Sequence, residues 1–131
     1  MTMNRELTAW AEGAALPPLP VRVGEAANDR YWAGAGIEPA SHPAGLLYPP
    51  MAANLTILAV QQAVDEPLLH TGQRLRCHRA LPAPAGLLVR GRCVRRFEQR
   101  GREYAVVEAE IEGPDGAPLW SSVATFTPVR A

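Results

Sequence analysis

Two side chains with acid–base capability stand four residues apart in the stretch IEPASHPAGLLYPP: Glu38 and His42. An imidazole titrates near neutrality, and a nearby carboxylate can orient it or share its proton. The pair therefore has the composition of a general acid/base site. A loop can bring residues at this spacing together. The stretch runs directly into the longest apolar segment of the chain, which opens with Pro49 and Pro50. A lone histidine next to a proline also fits a packing or surface role, and residue types alone leave both readings open for His42.

Other chemistries are narrowed by composition. All 13 basic residues are arginine, which excludes lysine Schiff-base chemistry, pyridoxal phosphate attachment and the P-loop lysine. No serine lies in a G-x-S-x-G elbow, so that hydrolase class is not indicated. His70, in the connection DEPLLHTG, and His78, on the outward side of a strand beside arginines, are not assigned catalytic roles. Three scattered histidines without a cysteine or carboxylate cluster make no metal site, and no metal or other cofactor is expected. Cys77 and Cys93 form no C-x-x-C pair and read as small buried hydrophobes in a reducing cytoplasm. The formal net charge is +0, so overall charge gives no pull toward nucleic acid or an acidic membrane.

These residues need a scaffold. The 131 residues suit a single domain spanning the whole chain, 1–131. The charged start MTMNRELTAW lacks the apolar stretch of a signal peptide, and no run approaches the ~20 apolar residues of a membrane span. A cytoplasmic protein follows as the expectation. The abundance of arginine, proline and alanine suggests a GC-rich bacterial source. Asn4 could cap a short helix carrying Leu7, Trp10 and Ala11, which LPPLP would end. Leu19, Val21 and Val23 alternate as a short strand. Glu25–Gly36 reads as a short amphipathic helix with Tyr31, Trp32 and Ala35 on one side.

Pro49 and Pro50 suit a helix start, where a missing N–H has no intrahelical partner. The predicted helix runs to about Val64, stops before Pro67 and is apolar nearly all round, as a buried helix is. Beyond it the period changes to two, giving strands through Leu75 and Cys77, Leu87–Val94, Ala105–Glu112 and Leu119–Phe126. PAPAG, EQRGRE and GPDG supply the turns, so the last three strands should form an antiparallel meander. Nine of the arginines fall between Arg74 and Arg102. Arg90, Arg92 and Arg96 are expected on one face, paired with Glu108, Glu110 and Glu112 on the next strand. Some of these arginines could instead hold the phosphates of a nucleotide-type ligand.

This order of elements resembles the hot-dog fold, an α+β architecture in which an antiparallel sheet wraps one long central helix. Within it the chain is similar to the MaoC-like hydratase/dehydratase family through ANDRYWAGAGIEP, AGLLYPPMAANL and CVRRFEQRGREYAVVEAEIEGPDGAPLWSSVATFTPV. The likeness spans roughly Val21 to Arg130. It implies an acyl thioester substrate, carried by coenzyme A or acyl carrier protein. It also implies a pocket shared between two hot-dog units, hence a homodimer or a heterodimer with another hot-dog subunit. In such proteins the thioester carbonyl sits at the N-terminus of the central helix, where unpaired N–H groups and the helix dipole stabilise negative charge.

The family's active loop reads Asp-x-Asn-Pro-x-His, whereas this chain has Ile37-Glu38-Pro39-Ala40-Ser41-His42. Aligning on Pro39 puts Gly36 at the aspartate and Ser41 at the histidine; aligning on His42 puts Ile37 at the aspartate. Glu38 and His42 are the candidates for a shifted pair. At the helix start, YPPM replaces the glycine common in catalytic members, so any backbone donors must be those of Met51 and Ala52, or a side chain such as Tyr48. Tyr31, Trp32, Tyr48 and Asn54 could line the substrate pocket, although aromatics near a helix start also serve as core. A degenerate, non-catalytic subunit is the alternative. A thioesterase or cyclase using the same pocket is a further one.

Overall fold

The computed structural model describes residues 5–37 and 45–129. Its elements are β1 (Leu19–Val23), α1 (Glu25–Gly34), α2 (Met51–Gln61), β2 (Leu68–Cys77), β3 (Ala85–Gln99), β4 (Arg102–Glu112) and β5 (Pro118–Pro128). The five strands form one sheet in the order β1-β3-β4-β5-β2, antiparallel throughout. The meander of β3, β4 and β5 is the one the alternation predicted. β1 and β2 close its two edges.

Local chemistry explains the corners. Arg100 and Gly101 connect β3 to β4, with φ of 51° and 76°. Positive φ at both positions gives a two-residue turn whose twist matches that of the flanking strands. At the next corner Gly116 has φ of 78°, and its N–H bonds Gly113 O at 3.0 Å while Gly113 N–H bonds Ala117 O at 3.0 Å. Arg79 clamps this corner from outside. Its Nη1 and Nη2 donate to the two oxygens of Asp115 at 2.9 and 2.5 Å, and Nη2 also reaches Ala117 O at 2.9 Å. A Cβ on Gly113 would lie 2.6 Å from that Nη2, so glycine is what admits the guanidinium. The same contact holds the Asp115 carboxyl below its ordinary range.

α2 lies on one face of the sheet. Met51, Ala52, Leu55, Thr56, Ala59 and Val60 are buried, packed in one core with Val89, Cys93, Val107, Ile111, Trp120 and Phe126. Ala105, Ala109 and Ala124 are also buried in that core. Thr56 returns its hydroxyl to Ala52 O at 2.8 Å, which removes the cost of burying it unpaired.

Several expectations need correction. The first helix is a 3-10 turn over Leu7–Ala9, and Asn4, its proposed cap, lies outside the described residues. α2 ends at Gln61 rather than Val64, and one side of it is open, with Asn54, Leu58 and Gln61 exposed. Leu58 is 47% exposed and Leu75 on β2 is 39% exposed. His70 stands on β2, its ring 5.4 Å from that of Phe126. The register of β3 against β4 slips between Cys93 and Arg95. That bulge brings Arg96 opposite buried Ala105 instead of onto the face of Arg90 and Arg92, and its Nη1 donates to Trp10 O at 2.8 Å. Cys93 is buried, but Cys77 is exposed at the edge of the sheet.

Burial also pushes the Cys93 thiol above its usual pKa. In the folded protein at neutral pH, a chromogenic disulfide reagent should therefore titrate one thiol, Cys77, and the second only after denaturant is added. Rapid release of two equivalents from the native protein would contradict the buried position of Cys93.

Candidate functional site

The segment that precedes α2 is fastened by one buried side chain. Asn28, on α1, is 1% exposed. Its Nδ2 donates to Leu46 O at 2.9 Å and Gly45 O at 3.3 Å, and its Oδ1 accepts the Tyr48 N–H at 3.0 Å. Trp32, one turn further along α1, donates its indole N–H to the same Leu46 O at 2.8 Å. The chain leaving α1 is held as well, since Ile37 N–H reaches Trp32 O at 3.0 Å. Both described ends of the 38–44 connection are thus tied to α1. Glu38 and His42 themselves lie outside the described residues.

The aromatic candidates converge. The Tyr31 and Tyr48 rings stack with centroids 6.1 Å apart, and Trp32 meets Tyr48 edge-on at 4.9 Å. Asn54, on the open side of α2, places Nδ2 3.5 Å from the Tyr31 hydroxyl. These four residues form a wall beside the start of α2. A small cavity of about 100 Å³ lies behind it, lined by Trp32, Leu46, Leu47, Pro49, Leu81 and Trp120 among others.

Met51 and Ala52 behave differently. Both are buried, at 1% and 0% exposure. Their amides are already engaged: Met51 N–H bonds Tyr48 O at 3.1 Å, Ala52 N–H bonds Pro49 O at 3.0 Å, and Ala53 N–H bonds Pro50 O at 3.1 Å. The two prolines have no N–H, and the Tyr48 amide is taken by Asn28. The tip of α2 keeps its dipole, but its amides from Tyr48 to Ala53 have partners within the chain. The donors left beside it are on side chains, chiefly the Tyr31 hydroxyl and the second N–H of the Asn54 amide.

Asn28 was missed in the sequence. The available signal was its spacing, three and four residues before Tyr31 and Trp32, which puts a polar residue on the aromatic side of the helix.

The geometry defines a class first: a hot-dog unit of α+β type, its curved antiparallel sheet packed on one central helix whose tip carries an aromatic wall. No protein-family model matches the sequence, and no curated protein matches it. Solved structures do. The unliganded (R)-hydratase PhaJ1 from Pseudomonas aeruginosa superposes with a TM-score of 0.75 at 13% identity, covering 93% of this chain and 84% of that one. A MaoC-like dehydratase from Rhodospirillum rubrum gives 0.73 at 13% identity, over 95% and 97% of the two chains. The C-terminally truncated HadBC (3R-hydroxyacyl-ACP dehydratase) complex from Mycobacterium tuberculosis gives 0.68 at 21% identity, over 92% and 99%. The chain therefore shares the hot-dog fold of the MaoC-like dehydratases and (R)-hydratases, as its sequence resemblance implied.

Replacing Asn28 by alanine would leave the part-buried Tyr48 amide without its partner. A loss of about 1–3 kcal/mol is expected, at the scale of an unsatisfied buried group, read as a lower midpoint in urea. Asn28→Asp keeps the acceptor for the Tyr48 N–H but sets a second carboxylate oxygen against the Leu46 and Gly45 carbonyls at a buried position, so it should lose at least as much. Equal stability of the alanine variant would show that this bond does not hold the segment.

Proposed function

We propose that this chain is one half of a MaoC-like hydratase/dehydratase acting on an acyl thioester of coenzyme A or acyl carrier protein. The observation that carries the reading is the aromatic wall at the tip of α2, standing at the margin of the open side of that helix. Leu58 and Leu75 are exposed there. A second hot-dog unit laid against that face would cover both leucines and enclose the wall of Tyr31, Trp32, Tyr48 and Asn54 in a shared cleft. The fold's similarity to a two-component dehydratase, HadBC, is consistent with such pairing.

In this reading His42, assisted by Glu38, removes a proton from water as its oxygen adds to the β-carbon of an enoyl thioester. The α-carbon then takes up a proton, and dehydration is the reverse. Negative charge builds on the thioester oxygen during the step. Because the amides of Met51 and Ala52 are engaged, the Tyr31 hydroxyl and the Asn54 amide are the donors assigned to that oxygen. The α2 dipole adds a favourable field. Oxygen and both protons are accounted for by the water, so no cofactor enters.

A second reading rests on those engaged amides. Pro49 and Pro50 remove two donors where an oxyanion site would stand, which suits a subunit that shapes the cleft while its partner does the chemistry. Purified protein would be offered an enoyl thioester and loss of the conjugated absorbance followed. His42→Ala should lower kcat by about 10²–10⁴-fold, the usual worth of a positioned acid/base. Activity of a co-purified hot-dog pair that survives His42→Ala unchanged would transfer the chemistry to the partner.

Pairing has its own check. Leu58→Asp or Leu75→Asp should shift the protein from dimer to monomer in light scattering without loss of secondary structure. A wild-type protein that is already monomeric would remove the shared cleft.

A further inference from the structure

The face of the sheet turned away from α2 carries a second concave surface, a groove of about 830 Å³. Strand register sets its chemistry. One row across the sheet reads Arg90 on β3, Glu110 on β4, Ser121 on β5 and Arg76 on β2. The next row reads Arg92, Glu108, Val123 and Arg74. His78, just beyond β2, places Nε2 2.5 Å from Ser121 Oγ. Ala15, Leu16 and Pro18 close the far side of the groove, beyond β3.

The charges are not evenly matched. Arg90 turns diagonally to Glu112 at 3.0 Å instead of to its direct neighbour Glu110, and Arg92 stands 4.0 Å from Glu108. Among the described residues, no ion pair or side-chain hydrogen bond engages the guanidiniums of Arg74 and Arg76 or the carboxylate of Glu110. The lining holds four arginines against two glutamates, with the surplus positive charge on β2 and the free carboxylate two strands away. Neighbouring strands are about 4.8 Å apart, so the arginines of β2 and Glu110 are separated by roughly 10 Å. β2 is an edge strand, but pairing along it would use backbone groups and leave these outward side chains accessible.

We infer that this groove is a binding site for a phosphorylated polyol, with its phosphate on Arg74 and Arg76 beside the His78–Ser121 pair and its hydroxyls on Glu110. Guanidinium groups bind phosphate with charge-assisted bonds, often bidentate. A carboxylate accepts hydrogen bonds from vicinal hydroxyls and repels phosphate, which fixes the direction in which the ligand lies. The volume is that of a small-molecule site. A free sugar phosphate and the sugar-phosphate part of a nucleotide present the same chemistry; in a nucleotide, the base would extend toward Leu16 and Pro18. The site is separated from the α2 wall by the sheet itself and does not depend on the acyl-thioester reading.

The test is calorimetric titration of the whole protein at fixed ionic strength with ribose 5-phosphate, adenosine monophosphate and inorganic phosphate. Ribose 5-phosphate should bind more tightly than inorganic phosphate. Tighter binding of adenosine monophosphate would identify a nucleotide as the source, and equal or weaker binding a sugar phosphate. Arg74→Gln/Arg76→Gln, both exposed and so tolerated by the fold, should weaken sugar-phosphate binding at least tenfold. Glu110→Gln should weaken ribose 5-phosphate severalfold while leaving inorganic phosphate unchanged or tighter. Equal weak affinity of all three ligands, or affinity unaffected by the double arginine substitution in a protein of unchanged circular dichroism, would overturn the assignment.

Discussion

The burial of a single face of α2 against the sheet, chiefly against β3 and β5, is the constraint on which the other features rest. Six residues of the helix are buried on that side, and the sheet meets them with Val89, Val107, Ile111, Trp120, Ala124 and Phe126. Large-to-small changes in such a core cost about 2–5 kcal/mol each, a large part of the stability of a domain this size. The sheet must therefore curve around the helix, and the β3 bulge after Cys93 accompanies that curvature. Because only one face is buried, the opposite side of α2 remains open, and so does the inward side of β2. A unit built in this way is suited to standing beside another.

Fixing the helix also fixes its tip. The double proline gives α2 a pre-formed start, since a fixed φ favours the first turn and no N–H is left orphaned. The consequence is electrostatic. Carbonyls of Tyr48, Pro49 and Pro50 take the amides that follow, while Asn28 takes the one before. The helix end is locally well satisfied and offers few backbone donors. Side chains gathered around it, Tyr31 and Asn54 above all, become the polar groups available to a ligand.

The strands present two surfaces with unrelated chemistry because their side chains alternate. The inward set makes the core and the open margin beside it. The outward set makes rows of arginine and glutamate, some paired across strands and some not. Exposed pairs of this kind contribute little to stability. The unpaired groups on β2 and β4 are thus free of a structural duty that would explain their placement.

Much of this was legible in the chain. Alternation marked β1, β3, β4 and β5, because a strand with one buried face must repeat every second residue. Pro49 and Pro50 marked the helix start, and the glycine-bearing turns marked the corners. Glu38 and His42 were readable as candidates by residue type, as was the aromatic set around Tyr31. What the sequence by itself determined was the local conformation and which residues were apolar. Tertiary structure decided that β1 and β2 close opposite edges, that α2 is open on one side, and that a bulge turns Arg96 away from its neighbours. It also decided that Asn28 latches the segment before α2. These outcomes depend on contacts between residues far apart in the chain, and no local period encodes which distant partner a backbone group or a side chain will meet.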